Sequence, residues 1–428
     1  MLDINAVHAG QASDISRPEF EDPLWQERNA ITRFDDLEKL LRIHVRADVL
    51  SDIGTGLSRS GMSMRVNPYV ISLIDWNQAT SDPIRRQFLP LSSELEPDHP
   101  RLAVDSLEER DQSPVQGLVH RYPDKALFLV TTVCPVYCSF CTRSYAVGPE
   151  TDVVPKEGLA GPKDWPAAIA YIERTEEIED VVVSGGDVSR LKPHQITALG
   201  NALLDIGHVR RIRFATKALS VLPMKVLNDP EWVNAIVQVA ERGRRSFKAV
   251  SLHTHLNHPR EVTPFVDRAM QKLHAAGVLV RNQSVLLRGV NDDAGTLISL
   301  IKALGRIQIQ PYYVYVCDMV RGIEHFRVPL REAQALEKAV RGATAGFNTP
   351  VFVVDTPGGK RDVHSADHYD EYYGVSAFVS PAVAPGRTFY YFDPLRALSR
   401  VARQEWSETN PPRKVFSVLT PHGALADA

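Results

Sequence analysis

The chain has 428 residues and a formal net charge of −3, from 49 Lys and Arg against 52 Asp and Glu. With 44% hydrophobic and 24% charged residues, it has the composition of a globular protein of about two or three domains, which excludes intrinsic disorder, collagen and a disulfide-stapled miniprotein. The balanced charge provides no basic surface for nucleic acid, so a small-molecule substrate is favoured. No stretch approaches the roughly 18 apolar residues of a membrane span, and residues 1–21 are polar and acidic, unlike a signal peptide. We therefore expect a cytoplasmic protein that does not contact a membrane.

The first part of the chain, residues 1–116, combines helix-like segments such as residues 34–44 with several prolines and no regular strand repeat. This pattern predicts a helical N-terminal region. Residues 105–117 are polar and contain Ser113-Pro114 and Gly117, which are typical of a linker. We expect a domain boundary near residue 117.

From residue 117 to about residue 330, short β-rich runs alternate with helical stretches. One further β-rich run, residues 351–355, follows. The runs are nearly continuous in apolar and β-branched residues, as is typical of parallel strands that helices cover on both faces. One intervening helix is well marked, with Thr263 as its N-cap, Pro264 at its first position and Gly277 at its end. The predicted strands are residues 126–132, 180–184, 209–216, 248–255, 278–287, 312–316 and 351–355.

Such repeated units with right-handed crossovers predict an α/β fold, a partial (β/α)6-type barrel whose chemistry lies at the carboxyl ends of the strands. Residues 331–428 form the predicted C-terminal region. Beyond about residue 375 the repeat gives way to an aromatic-rich tail that contains prolines.

Three of the four cysteines, Cys134, Cys138 and Cys141, have the spacing C-x3-C-x2-C directly after the first of these runs. In a reducing compartment such clustering favours metal or redox chemistry over disulfides. A loop at a strand end lets three thiolates bind one cuboidal iron-sulfur cluster, and three ligands for four irons leave one iron open to a substrate or cofactor.

Two other interpretations of the cysteines are weaker. Three buried thiols without a function would not need this spacing. A tetrahedral zinc site would need His120 or Cys317 as its fourth ligand, and Cys317 is better explained as a core residue of a strand.

The triad resembles that of the radical S-adenosylmethionine superfamily. In that superfamily the open iron binds the amino and carboxylate groups of S-adenosylmethionine, and an electron from the cluster releases a 5′-deoxyadenosyl radical. A Gly-Gly pair at a strand end is by itself only a tight turn, but here it follows the cysteines by one βα unit. The resemblance implies that the segment Ser184-Gly185-Gly186-Asp187, together with His255 and Gln283, contacts S-adenosylmethionine.

A closer resemblance, to the lysine 2,3-aminomutase family, covers about residues 113–364. Members of this family move an α-amino group to the β-carbon with S-adenosylmethionine and pyridoxal phosphate, so the resemblance implies an amino-acid isomerase with both cofactors. The matching segments are HRYPDK at 120–125, CSFCTR at 138–143, THLNHP at 254–259, NQSVLLRGVND at 282–292, CD at 317–318, HFR at 325–327 and DTPGGK at 355–360.

The resemblance also implies roles for individual residues. It makes Lys360 the lysine that binds pyridoxal phosphate as an imine, with Arg121 and Lys125 at the phosphate. It places Arg143 on the substrate carboxylate, for which a planar guanidinium is suited. Asp318 and Asp355 would hold the distal ammonium of the substrate, which favours a lysine- or arginine-like amino acid.

Three departures from the family pattern leave a second enzymatic interpretation open. Only Gly358 and Gly359 precede Lys360, where the family has four glycines; Phe140 stands in place of a histidine and Lys125 in place of an arginine. A radical enzyme without pyridoxal phosphate, such as an epimerase, dehydrogenase or hydroxylase of a related amine, would also have this cysteine triad.

Other classes of protein fit less well. A simple iron-sulfur electron carrier needs a fourth cysteine and no barrel, and a repair lyase that acts on DNA needs more positive charge. The resemblance implies an external electron donor of the flavodoxin or ferredoxin type and a homo-oligomer formed through the N-terminal region.

Overall fold

The computed structural model describes residues 18–158 and 161–409, together with residues 412 and 415. Residues 1–17 of the polar start lie outside the described residues, as does most of the chain after residue 409. None of the helices within the described ranges has both the length and the apolar character that a membrane crossing requires.

A nine-stranded sheet in the order β1 to β9 forms the centre of the structure. Strands β2 to β8 are parallel to one another. β1 and β9 lie at the two ends of the sheet and are antiparallel to β2 and β8, respectively. The predicted α/β barrel and all seven predicted strands are confirmed as β2 to β8. The strands of this sheet are β1 (Leu118–Tyr122), β2 (Lys125–Thr131), β3 (Asp180–Gly185), β4 (Arg211–Ala215), β5 (Ala249–Thr254), β6 (Leu279–Leu286), β7 (Gln310–Val316), β8 (Val351–Thr356) and β9 (Gly359–Asp362).

Helices precede the sheet and connect its parallel strands. The helical character predicted for the N-terminal region is confirmed in α1 to α5. The helices are α1 (Pro23–Arg28), α2 (Phe34–Leu41), α3 (Ala47–Ser58), α4 (Pro68–Leu73), α5 (Pro83–Phe88), α6 (Trp165–Arg174), α7 (Pro193–Asp205), α8 (Ala218–Val221), α9 (Met224–Asn228), α10 (Pro230–Arg245), α11 (Pro264–Ala275), α12 (Ala294–Arg306), α13 (Leu330–Arg341) and α14 (Arg400–Glu408).

Helix α11 shows why the sequence folds into these crossovers. The Thr263 side chain accepts a hydrogen bond from the backbone N–H of Val266, as an N-cap does, and Pro264 occupies the first turn. Gly277 follows the helix with a φ of +70°. One side of the helix is buried in the main core cluster, through Val266, Ala269, Met270 and Leu273.

Side chains join the two ends of the nine-stranded sheet. Arg121 of β1 donates a hydrogen bond from Nη1 to the carbonyl oxygen of Thr356, over 3.2 Å. The backbone N–H of Lys360 in β9 donates to the hydroxyl of Tyr122, over 2.8 Å. Because these contacts connect β1 to the β8–β9 hairpin, the sheet is nearly closed into a barrel.

One expectation about the outer parts of the chain is wrong. Residues 105–117 are not a free linker, because Leu107 and Glu109 line the barrel cavity. In the C-terminal segment, where the repeat ends, an antiparallel three-stranded sheet forms, and Tyr391 donates a hydrogen bond to the carbonyl of Cys317 in the barrel, over 3.0 Å. The additional strands are β10 (His368–Asp370), β11 (Val375–Val379) and β12 (Thr388–Phe392).

Candidate active site

A single cavity of about 450 Å³ inside the barrel brings the predicted site residues together. Its volume is within the range of small-molecule sites. It extends from the cysteine loop at the carboxyl ends of the strands down to Lys125 and Asp180, where β2 and β3 begin. The predicted residues that line it are Arg121, Lys125, Cys134, Cys138, Cys141, Arg143, Ser184, Gly185, Gly186, Asp187, His255, Gln283, Asp318, Asp355 and Lys360.

The three clustered cysteines are half-buried at the upper end of this cavity. Desolvation raises the pKa of each thiol, and the neighbouring cysteines add to this effect for Cys134 and Cys138. Within the described ranges no three His, Cys, Asp or Glu side chains converge on a point where one metal ion could bind. In a cuboidal cluster each cysteine binds a different iron, so the three thiols need not meet at one point.

Each of the two candidates for a fourth zinc ligand has other contacts. His120 Nδ1 lies 2.9 Å from the hydroxyl of Tyr171. Cys317 is buried with the apolar residues around Leu287 and Phe326, which confirms the expectation of a core thiol.

The Gly185-Gly186 pair holds the start of the cysteine loop. The backbone N–H of Gly186 donates to the carbonyl of Thr131 over 2.6 Å, and that of Asp187 donates to the carbonyl of Val133 over 3.0 Å. A Cβ on Gly186 would lie 2.5 Å from the oxygen of Val133. The two glycines therefore permit a close approach of β3 to protein backbone, in addition to lining the cavity.

The carboxylate of Asp187 is fully engaged by the protein. It is buried and accepts hydrogen bonds from the Thr216 hydroxyl and from the backbone N–H of Lys217, both over 2.7 Å, as well as from Ser189. Asp187 thus ties the end of β3 to the end of β4.

His255 directly follows β5, whereas Gln283 lies within the neighbouring strand β6, three residues before its end. The His255 ring stacks on Phe140, with 5.7 Å between ring centroids. Burial, together with the charge of Lys217, lowers the pKa of His255 to about 3, so its imidazole is neutral. Gln283 accepts a hydrogen bond from the Tyr315 hydroxyl, over 3.2 Å.

Arg143 is bound on one edge by a carboxylate that sequence analysis did not identify. Its Nε and Nη2 donate to the two carboxylate oxygens of Glu109, over 2.9 and 2.7 Å. Glu109 is only 4% exposed and also accepts from the Tyr145 hydroxyl. Burial opposes the ionisation of Glu109, but the charge and hydrogen bonds of Arg143 hold its pKa below the usual value. Nη1 is the part of the guanidinium that Glu109 leaves uncovered.

Asp355 is neutralised by two cations of the chain itself. Its Oδ1 lies 2.6 Å from Arg121 Nη2, and its Oδ2 lies 2.8 Å from Lys360 Nζ. Burial opposes the ionisation of Asp355, yet the charges of Lys360 and Arg121 lower its pKa. In turn, Asp355 outweighs the effect of burial on Lys360 and raises the pKa of that amine.

Asp318, in contrast, keeps an unused oxygen. Its Oδ2 accepts a hydrogen bond from the Thr142 hydroxyl, over 2.5 Å, whereas its buried Oδ1 has no hydrogen-bond partner in the part of the chain that the structure describes. Burial and the charge of Asp355 raise the pKa of Asp318 to about 6. A cationic group at Oδ1 would favour the ionised form.

Several proteins of one enzyme family are similar to this chain. L-lysine 2,3-aminomutase of Clostridium subterminale is 38% identical over 346 residues, which cover 81% of this chain and 78% of that protein. The chain belongs to the lysine 2,3-aminomutase family. The family members of Bacillus subtilis, an L-lysine 2,3-aminomutase, and of Clostridioides difficile, a glutamate 2,3-aminomutase, are 36% and 31% identical, over 81% and 78% of this chain and 69% and 74% of theirs. No family model matches the chain.

Membership of the lysine 2,3-aminomutase family confirms the enzyme class expected from the sequence, a radical S-adenosylmethionine isomerase of the 2,3-aminomutase type that acts on an amino acid. Among solved structures, the peptide-bound SuiB of Streptococcus suis superimposes with a TM-score of 0.38 at 14% identity, over 53% of this chain and 48% of that one. A radical SAM methyltransferase from Sphaerobacter thermophilus gives 0.37 at 18% identity, over 57% and 72%.

Proposed function

We propose that this chain moves the α-amino group of a lysine- or arginine-like amino acid to its β-carbon. One observation carries the proposal: the cysteine triad, the Lys360 amine and the half-satisfied Asp318 carboxylate line the same cavity. The radical source, the amine-handling residue and a receptor for a distal cation are thereby within one enclosed space.

The three cysteines fit a four-iron cluster, and Ser184 to Asp187, His255 and Gln283 surround the space where S-adenosylmethionine would bind. Cluster and nucleotide together supply the radical that removes a hydrogen atom from the β-carbon of the substrate. The protein contributes burial, which keeps water away from the reacting carbon. A flavodoxin- or ferredoxin-type donor would provide the electron, and the cytoplasmic location and the homo-oligomer stay predictions.

Pyridoxal phosphate fits the cavity at its aldehyde end. Lys360 Nζ lies 5.4 Å from the ring centroid of Tyr122 and 5.7 Å from that of Tyr315, so aromatic surfaces flank the amine. When bound, the cofactor supplies the π system through which a nitrogen can pass between adjacent carbons. Because Asp355 holds the amine as an ammonium, Lys360 must leave that carboxylate and lose a proton before it can react with an aldehyde.

The distal part of the substrate distinguishes the possible amino acids. Asp318 Oδ1 is a buried acceptor that no described residue contacts as a donor, and a distal ammonium or guanidinium would satisfy it. A glutamate side chain would place a second carboxylate beside Asp318. At the other end, Arg143 Nη1 would bind the α-carboxylate while Glu109 holds the opposite edge of the guanidinium.

The proposal is tested with anaerobically reconstituted enzyme, a reductant, S-adenosylmethionine and pyridoxal phosphate. Lysine, arginine, glutamate and alanine are supplied separately, and mass spectrometry measures 5′-deoxyadenosine and the β-amino acid. We expect both products with a basic amino acid, and neither with Cys141→Ala. Cys317→Ser is the matched control, which should keep the iron content of the wild type. A preference for glutamate would contradict the proposed substrate class.

The interpretation without pyridoxal phosphate predicts a different outcome. The enzyme would then form 5′-deoxyadenosine with a basic amine but no β-amino acid, and borohydride would attach no pyridoxyl group to Lys360. That result would refute the aminomutase reaction while leaving the radical chemistry intact.

A further inference from the structure

Three basic side chains project from neighbouring strands into the lower half of the barrel. His253 of β5 pairs in register with Arg281 of β6, and Arg213 lies on the adjacent strand β4. Arg281 precedes the cavity-lining residue Gln283 by two positions, so the two side chains point to the same face of the sheet. Arg213 and His253 line the cavity themselves. We call Arg213, His253 and Arg281 the basic floor.

The basic floor contains polar groups that no other described residue satisfies. His253 is 3% exposed, and its Nε2 has no hydrogen-bond partner among the described residues. The Nε of Arg281 is also buried without a partner, and no carboxylate of the described residues lies within ion-pair distance of Arg281. Buried donors and charges of this kind are costly unless a ligand satisfies them.

The charge of the basic floor selects an anion. Asp180 accepts a hydrogen bond from Arg213 Nε over 2.8 Å. The charge of Arg281 has no such carboxylate partner among the described residues. The Arg281 guanidinium lies 5.4 Å from the ring centroid of Tyr312, and the His253 ring meets the same ring at 5.5 Å. Burial and the charges of Arg213 and Arg281 lower the pKa of His253 to about 3. Its neutral imidazole is therefore available as a hydrogen-bonding group between two guanidinium ions.

Arg121 and Lys125, which the family resemblance places at the phosphate, contact other groups of the protein. Arg121 donates from its two Nη atoms to Asp355, Thr356 and Tyr122. Lys125 Nζ lies 2.6 Å from Asp124 Oδ1. Among the described residues, neither Arg121 nor Lys125 has a buried nitrogen without a hydrogen-bond partner, whereas His253 and Arg281 each have one.

We propose that Arg213, His253 and Arg281 bind the phosphate group of pyridoxal phosphate at the floor of the barrel. This inference rests on the proposed use of that cofactor. Tyr313 lies within range of both ends of the site. Burial raises the pKa of its hydroxyl, and the charges of Lys360 and Arg213 both oppose that increase. Pyridoxal phosphate is one ring wide and carries an aldehyde on one side and a phosphate on the other. This arrangement matches the Lys360 amine and the basic floor, which both lie near Tyr313.

The test compares two ligands that share the aldehyde and differ in the phosphate. Spectrophotometric titration of the iron-loaded, full-length enzyme measures the affinity for pyridoxal phosphate and for pyridoxal. We expect Arg281→Gln to weaken pyridoxal phosphate binding about 10- to 100-fold, the loss typical of a charged hydrogen-bonded contact, and to leave pyridoxal binding unchanged. Arg281→Lys should recover part of the loss.

Two further variants guard against misfolding and non-specific charge effects. His253→Gln tests the floor independently and should also weaken only the phosphorylated ligand. Arg306→Gln removes an exposed arginine at the end of α12, before β7, and should change neither affinity. Equal weakening of both ligands in Arg281→Gln, or no weakening of either, would overturn the proposed phosphate site.

Inorganic phosphate separates this inference from the proposed function. If the wild type binds neither pyridoxal nor pyridoxal phosphate, pyridoxal use fails, and phosphorus NMR with inorganic phosphate then tests the floor alone. Phosphate binding that Arg281→Gln abolishes would support an anion site of another use. Absence of phosphate binding in the wild type would refute the site.

Discussion

Asp355 and Lys360 face each other across the β8–β9 hairpin, as partners in the strand register, with Oδ2 and Nζ 2.8 Å apart. Only Pro357 and Gly358 separate the last paired residues of the two strands. The loss of two glycines relative to the family pattern therefore has a structural consequence, because the short turn places the lysine directly opposite an acid. Arg121 binds the other oxygen of that acid, over 2.6 Å.

This ion pair predicts a difference between two replacements of Lys360. Lys360→Arg keeps a cation beside Asp355 and should leave the free energy of unfolding nearly unchanged. Lys360→Met should lower it by about 1–3 kcal/mol, less than the loss of a whole buried pair, because Arg121 remains. Urea unfolding at pH 7 measures both values.

The pH dependence gives a second check on the same pair. The folded-state pKa of Asp355 is below its usual value, so the stabilisation is fully present above the unfolded pKa of about 4 and is lost as the pH falls through the lower folded pKa. The difference between Lys360→Met and wild type should disappear in that acidic range. A difference that persists there would contradict the assignment.

Sequence analysis predicted the parallel strands because strands buried on both faces are continuous apolar runs, such as Val181 to Val183 in β3. It missed β1 and β9, which are short and contain no long apolar run. Each pairs through a tight turn with the next strand in the chain, β1 with β2 and β9 with β8. Sequence analysis identified Arg143 from a local motif but could not identify Glu109, which lies 34 positions earlier in a polar segment. Local patterns thus predict strands and motifs, whereas ion-pair partners are determined by the tertiary fold.

The close approach at Gly186 predicts a role in cluster assembly. Gly186→Ala would place a Cβ 2.5 Å from the backbone oxygen of Val133, and overpacking of this kind costs about 1–3 kcal/mol. We expect the cysteine loop to shift and the iron content after anaerobic reconstitution to fall to less than half. Gly207→Ala is the matched control, since a Cβ there would meet nothing within 4 Å. Full iron content in Gly186→Ala would refute this role.

Glu109 should act on substrate binding through Arg143. Glu109→Gln removes the charge that orients the guanidinium, so we expect KM for the amino acid to rise about 10-fold while kcat changes less than twofold. Arg143→Lys should raise KM further, because lysine lacks the planar fork. The neighbouring, exposed Glu108→Gln is the control and should keep the wild-type KM. A fall in kcat with unchanged KM in Glu109→Gln would show that the contact does not position the substrate.

The ionisation of Asp318 should determine how kcat/KM changes with pH on the acidic side. Burial and the charge of Asp355 raise its pKa to about 6, so the carboxylate that would bind a cationic substrate end is ionised only above that pH. Below pH 6, kcat/KM for a basic amino acid should fall about tenfold per pH unit as Asp318 becomes protonated. Asp318→Asn should have a low kcat/KM without this limb, because its amide neither ionises nor attracts a cation. An acidic limb of the same shape in Asp318→Asn would assign the titration to another group and remove Asp318 from the substrate site.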